Sequence, residues 1–79
     1  MGIHIADRKK SVPAVNEVLS KSGCAINTRV GLHSNEDGAC SPSGVILLSL
    51  DDTKQSLIAK AFSKLNRIKG VEVQLMTFD

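Results

Sequence analysis

Apolar positions change their spacing several times along the chain, and each change marks an element. Over Gly2–Ala6, Ile3 and Ile5 share one side and His4 points to the other, which predicts a short strand starting almost at the first residue. Asp7-Arg8-Lys9-Lys10 reads as a polar connection, with Ser11 as a helix cap and Pro13 in the first turn, where its missing donor costs little. Val12, Val15, Val18 and Leu19 then recur at helical spacing until Gly23, read as a left-handed stop. From Cys24 to Leu32 the period falls to two. Cys24, Ile26, Thr28, Val30 and Leu32 lie on one side and Ala25, Asn27, Arg29 and Gly31 on the other, a strand with one wet face.

His33 to Ser43 is polar and carries Gly38 and Pro42, which predicts a hairpin loop of about ten residues. Gly44–Leu50 is apolar on both faces apart from Ser49 and belongs in the middle of a sheet. Asp52 and Gln55 read as a capping pair for a second helix, whose Leu57, Ile58, Ala61, Phe62, Leu65 and Ile68 recur at three and four up to Gly70. Val71, Val73 and Leu75 alternate with Glu72, Gln74 and Met76 as a last strand. The predicted order is βαββαβ over one domain, 1–79. It implies an α+β, ferredoxin-like sandwich, a four-stranded antiparallel sheet with two helices on one face. The first and third strands are then central. With helices on one face only, either Ile46, Leu48 and Leu50 or Val45 and Leu47 must be exposed or meet another subunit; since contiguous exposed apolar surface is uncommon on monomers, a homodimer or larger assembly through the open sheet face or edge strand is the expectation.

Composition narrows the function classes. With 79 residues, 42% of them apolar and 23% charged, the chain is globular, but it buries only about 60–65% of its unfolded surface and gains from oligomerisation. Ten Lys and Arg against eight Asp and Glu give +2, too mild to imply nucleic acid; the absence of Trp and Tyr argues against base stacking. There is no apolar run of 18 residues and no cleavable leader pattern, so the expected place is the cytoplasm, with no membrane. Cys24 and Cys40 are read as reduced thiols.

No acid/base pair or nucleophile context supports an enzyme. His33 and Cys40, in or beside the same loop, are a set that zinc, copper or nickel would accept, against the plainer reading of a loop thiol and a strand-end polar group. Lys60, Lys64 and Arg67 fit a solvated helix face. The connection Asp7–Val12 remains, a solvated turn or a place where helix-start N–H groups and Arg8, Lys9 and Lys10 hold an anionic group, with Asn27 completing the pocket.

The stretch from Asp7 through Gly23-Cys24-Ala25-Ile26 resembles the opening of ACT domains, small ligand-sensing modules whose pattern is Asp-Arg-Pro-Gly, an apolar helix ending in Leu, then Gly-Ile-Asn-Ile. Lys9 and Lys10 stand where that pattern has Pro and Gly. With Gly31, Gly44-Val45 and Leu65-Asn66-Arg67-Ile68-Lys69-Gly70-Val71, nearly the whole chain resembles a narrower family, the ACT-like iron-only hydrogenase system regulators, themselves similar to the C-terminal domain of the nickel-responsive repressor NikR. The resemblance implies a ferredoxin-like fold, a homodimer or homotetramer and a regulatory role. On that basis the expected function is a non-enzymatic domain, without cofactor, that binds a small anionic ligand such as an amino acid at a subunit interface. Asp7 and Arg8 fix the ligand, Lys10 and Ser11 contact its anionic group, and Asn27 lines the floor. The alternatives are a NikR-like metal sensor using His33 and Cys40, or a ligand-free protein-interaction module. Finally, a central first strand of about five residues leaves its sheet neighbours partly unpaired at one end, so either the chain is shortened or another segment covers the gap.

Overall fold

In this computed structural model the described residues are 1–32 and 42–78, with the backbone alone of Asn35–Glu36 and Ala39–Cys40. Strands β1 (Gly2–Ile5), β2 (Ile26–Leu32), β5 (Gly44–Leu50) and β6 (Val71–Gln74) form a sheet in the order β2-β5-β1-β6, every pair antiparallel. Helices α1 (Arg8–Lys21) and α2 (Gln55–Asn66) connect β1 to β2 and β5 to β6. A short ladder, β3 (Asn35–Glu36) against β4 (Ala39–Cys40), lies within the segment expected to be loop. The molecule is α+β, with a four-stranded antiparallel sheet and two helices. As expected, β1 and β5 are central.

One sheet face carries the core. Ile3 and Ile5 from β1, Ile46 and Leu48 from β5 and Val73 from β6 are buried with Val15 and Leu19 of α1 and Leu65 of α2. Period-two alternation puts the strand residues on one side, and the helices contribute residues one turn apart to meet them. Burying each such side chain contributes about 1.5–3 kcal/mol.

Several local readings are corrected. Helix α1 begins one turn earlier than expected, with Asp7 rather than Ser11 as its cap; the Asp7 carboxylate accepts the Lys9 N–H at 3.1 Å. Pro13 consequently sits inside the helix, where it leaves the Lys9 carbonyl without its usual donor. Gly23 falls in a single 3-10 turn, Gly23–Ala25, and Ser22 is the C-cap; among the described residues the glycine with positive φ is Gly70, at +80°. Exposed Cys24 lies in that turn, not in β2. At α2 the Asp52–Gln55 pair does not form a reciprocal cap. Gln55 Nε2 donates to the Asp52 carbonyl at 2.8 Å, while Asp51 accepts from the Thr53 hydroxyl at 2.6 Å and the Thr53 N–H at 3.0 Å.

Strand β2 is the largest departure. Its register against β5 shifts between Ile26, opposite Leu50, and Thr28, opposite Ser49, so Asn27 is an extra residue. One inserted residue reverses which side every following side chain faces. Ile26 therefore packs against the core, whereas Val30 and Leu32 turn to the other face, 45% and 51% exposed.

Candidate functional site

The start of α1 gathers part of the expected ligand site. Asp7 is half-buried and engaged as the helix cap. The Arg8 N–H donates to the Pro42 carbonyl at 2.8 Å, tying the helix start to the entry of β5. Its side-chain stem runs over Gly44, where a Cβ would come within 3.0 Å of Arg8 Cδ. Lys9 and Lys10 are exposed beside it. Ser11, by contrast, is buried, and its hydroxyl donates to the Lys69 carbonyl at 3.2 Å. It therefore holds the α2–β6 connection against α1.

Asn27 does not join this group. It is exposed at the bulge beside Leu50, six strand residues from Gly44, or roughly 20 Å along the sheet. What approaches α1 from β2 is Arg29, whose Nη2 donates to Asn16 Oδ1 at 2.7 Å. Asp7, Arg8 and Lys10 thus stand together at one end of the sheet, Ser11 serves the fold, and Asn27 is at the far end.

His33 lies outside the described residues, as does the side chain of Cys40. Among the described residues no three of His, Cys, Asp and Glu cluster so as to hold a metal ion, and no helix is long and apolar enough to cross a membrane.

The second candidate region is the sheet face away from the core. Val30 lies opposite Leu47 and Leu32 opposite Val45, while His4 and Gly2 continue the rows from β1 and Glu72 and Gln74 from β6. Leu47 is 47% exposed, close to Val30 and Leu32. Four branched apolar side chains on adjacent strands form a contiguous patch with a polar border on the β6 side. Scattered apolar residues are normal on a surface; here they adjoin one another. The linear pattern offers Val45 and Leu47 for this face as one option and gives Val30 and Leu32 no such place; the bulge at Asn27 brings them over.

No family model matches the chain, and no curated protein matches it. A solved structure does: that of the uncharacterized protein TM1266 from Thermotoga maritima, 32% identical in sequence, with a TM-score of 0.73 over 92% of this chain and 85% of that one.

Proposed function

Since the chain belongs to the same family as the uncharacterized protein TM1266 from Thermotoga maritima, and that name carries no activity, we propose from the chain's own surface that it is a non-enzymatic regulatory module that works as an assembly of identical copies. The observation that carries this reading is the apolar face of Val30, Leu32, Val45 and Leu47, open in the single chain. A second copy brings an identical face, so a two-fold contact buries apolar rows on apolar rows. A domain of 79 residues also gains from a partner the burial its own core cannot supply.

The finer assignment is a ferredoxin-like domain of the ACT-like type, of the kind found in iron-only hydrogenase system regulators, acting in the cytoplasm. The sequence resemblance supports it, and the sheet order and placement of the helices are consistent with it. The ligand in this reading is a small anion, such as an amino-acid carboxylate, held at the start of α1. Arg8 and Lys10 supply the charge, and Asp7 fixes the helix start. Ser11 and Asn27 drop out of the contact set, for the placements given above.

Sedimentation at micromolar concentration tests the assembly. The wild-type chain is expected as a dimer or tetramer and Leu47→Lys as a smaller species with unchanged circular dichroism; a monomeric wild type overturns the reading. For the ligand, a thermal-shift series of amino acids and small carboxylates should raise the melting temperature in the wild type and not in Lys10→Ala. At 100 times its dissociation constant a ligand adds about 2.7 kcal/mol. No response from any compound leaves the module without its ligand.

A further inference from the structure

On the open sheet face, Val30, Leu47, Gly2 and Gln74 form one row across β2, β5, β1 and β6, and Leu32, Val45, His4 and Glu72 form the next. Gly2 leaves the first row notched. A shallow hollow of about 180 Å³ lies there, bounded by His4, Val45, Glu72 and Gln74. The fold itself does not require it: a Cβ on Gly2 would meet Leu47 Cδ2 at an ordinary 3.7 Å, and the Gly2 backbone is not in the left-handed region. Glycine weakens the interior of a strand. Where the pairing is regular, as it is along β1, a glycine that the fold does not need leaves room for another group to approach.

A group that fits is on the same face. His4 is exposed, one row from Gly2 on the same strand. Two stacked sheets lie roughly 10 Å apart and the side chains of both faces fill that space together, so a position without a side chain calls for a long one opposite. A two-fold axis running across the strands between two such sheets sets each strand against its own copy and exchanges the two rows. Leu47 then faces the partner's Val45, Val30 the partner's Leu32, Gly2 the partner's His4 and Gln74 the partner's Glu72. Each pair sets a larger side chain against a smaller one or an amide against a carboxylate, the same groups that meet within one copy, where Gln74 Nε2 donates to Glu72 Oε1 at 3.2 Å. Other placements of the axis lose this match. Along the row of Val45 it brings Glu72 onto Glu72, like charges in contact. Parallel to the strands over the β5–β1 seam, it fills the notch with Leu47 but lays Leu32 on the partner's Glu72, a carboxylate covered by apolar surface. Over the β2–β5 seam it leaves the notch empty.

We propose that two copies meet face to face with their two-fold axis across the strands, between the rows of Leu47 and Val45, so that the His4 imidazole of each copy fills the notch over the partner's Gly2. This rests on the sheet-face assembly proposed above and specifies which residues meet in it. The partner is a second copy because the notch, the side chain that fills it and the amide and carboxylate that pair beside it all lie on one chain, the self-complementarity that a two-fold contact requires.

Complementation between two variants tests this register. Gly2→Val fills the notch. On a face that acts only as an apolar patch the added valine strengthens assembly; in this register it collides with the partner's His4, twice in each pair. Gly2→Val is therefore expected to sediment as a smaller species than wild type with unchanged circular dichroism, the single chain having room for the side chain. Gly2→Ala gives a second reading with a smaller loss of assembly. Adding a His4→Ala chain to Gly2→Val relieves both collisions, because a mixed pair sets the added valine against alanine and the intact Gly2 against the intact His4. With one chain isotope-labelled, native mass spectrometry should show a mixed assembly of wild-type size. Assembly of Gly2→Val as complete as that of wild type, or no mixed species with His4→Ala, overturns the proposal, and so does rescue by Leu47→Ala in its place, which would set the axis along the strands. Leu47→Lys keeps the two readings apart. If it dissociates the wild-type assembly and Gly2→Val does not, the sheet face is used in another register; if wild type is monomeric, or Leu47→Lys leaves its mass unchanged, the sheet-face reading fails and this proposal with it.

Discussion

The side-chain stem of Arg8 occupies the space that a Cβ on Gly44 would need. A Cβ built there would meet Arg8 Cδ at 3.0 Å and the Leu32 carbonyl oxygen at 3.1 Å. Gly44 thus lets the first residue of α1 lie flat across the start of β5, where Gly44 pairs with Ile5. The Arg8 stem can rotate away, but the Leu32 carbonyl is backbone and can only give with the strand. Gly44→Ala is therefore expected to destabilise the fold by about 1–3 kcal/mol in urea unfolding. A midpoint equal to wild type would show that the helix start adjusts freely over β5.

Gly70 is required for a different reason. Its φ of +80° is a conformation in which a Cβ is strained, while the space around it is ordinary, with Ala6 Cβ and Ser11 Oγ both at 3.8 Å. Its carbonyl accepts the Ala6 N–H at 2.9 Å, so the turn also closes the end of the β1–β6 pair. Gly70→Ala should cost about 1–2 kcal/mol through backbone strain alone. Gly70→Asn, which tolerates the left-handed region better, should cost less, and equal losses in urea unfolding for the two would argue that strain is not the cause.

These two glycines show what a linear pattern conveys and what it does not. Both helices and the central positions of β1 and β5 were legible, because their apolar periods are long and uninterrupted and a right-handed crossover leaves little choice of order. The helix ends were not. Asp7 and Ser11 are both competent caps one turn apart, and Gly23 and Gly70 both follow an apolar helix; the selection is made by tertiary contacts such as Arg8 to Pro42 and Ala6 to Gly70. In β2 the alternation was legible but its facing was not, since the extra residue at Asn27 leaves the period intact on either side. This reversed the facing of Val30 and Leu32. The expected ligand group is half assembled, because neighbours in sequence stay together, whereas Asn27 opens β2 just after α1 has run the length of the sheet away from Arg8.

Ser11 separates the fold from the ligand reading. Its buried hydroxyl donates to the Lys69 carbonyl. Ser11→Ala should lower stability by about 0.5–1.5 kcal/mol, the usual net value of such a bond. The rise in melting temperature on adding a binding carboxylate should be the same as in wild type, in contrast to Lys10→Ala. Loss of the ligand response in Ser11→Ala, with stability unchanged, would return the hydroxyl to the binding site.

Asp51 links the turn before α2 to pH. The Thr53 hydroxyl, then the Thr53 N–H, donate to its carboxylate, and these bonds, with a smaller contribution from the Lys54 charge, hold its pKa below the ordinary carboxylate value against the opposing effect of burial. A carboxyl group whose pKa is depressed on folding favours the folded state while it is ionised. Its contribution is complete above the unfolded-state value, roughly 4, and is lost as pH falls through the lower folded-state value. Removing the hydroxyl in Thr53→Ala takes away the largest cause of the depression. The Asp51 carboxyl, followed by NMR, should then titrate at higher pH than in wild type, and the stability gap between the two proteins should narrow as pH is lowered from 5 towards 2. A gap that stays constant over that range, with the Asp51 midpoint unmoved, would mean that Thr53 supports the turn by packing and not by holding the charge.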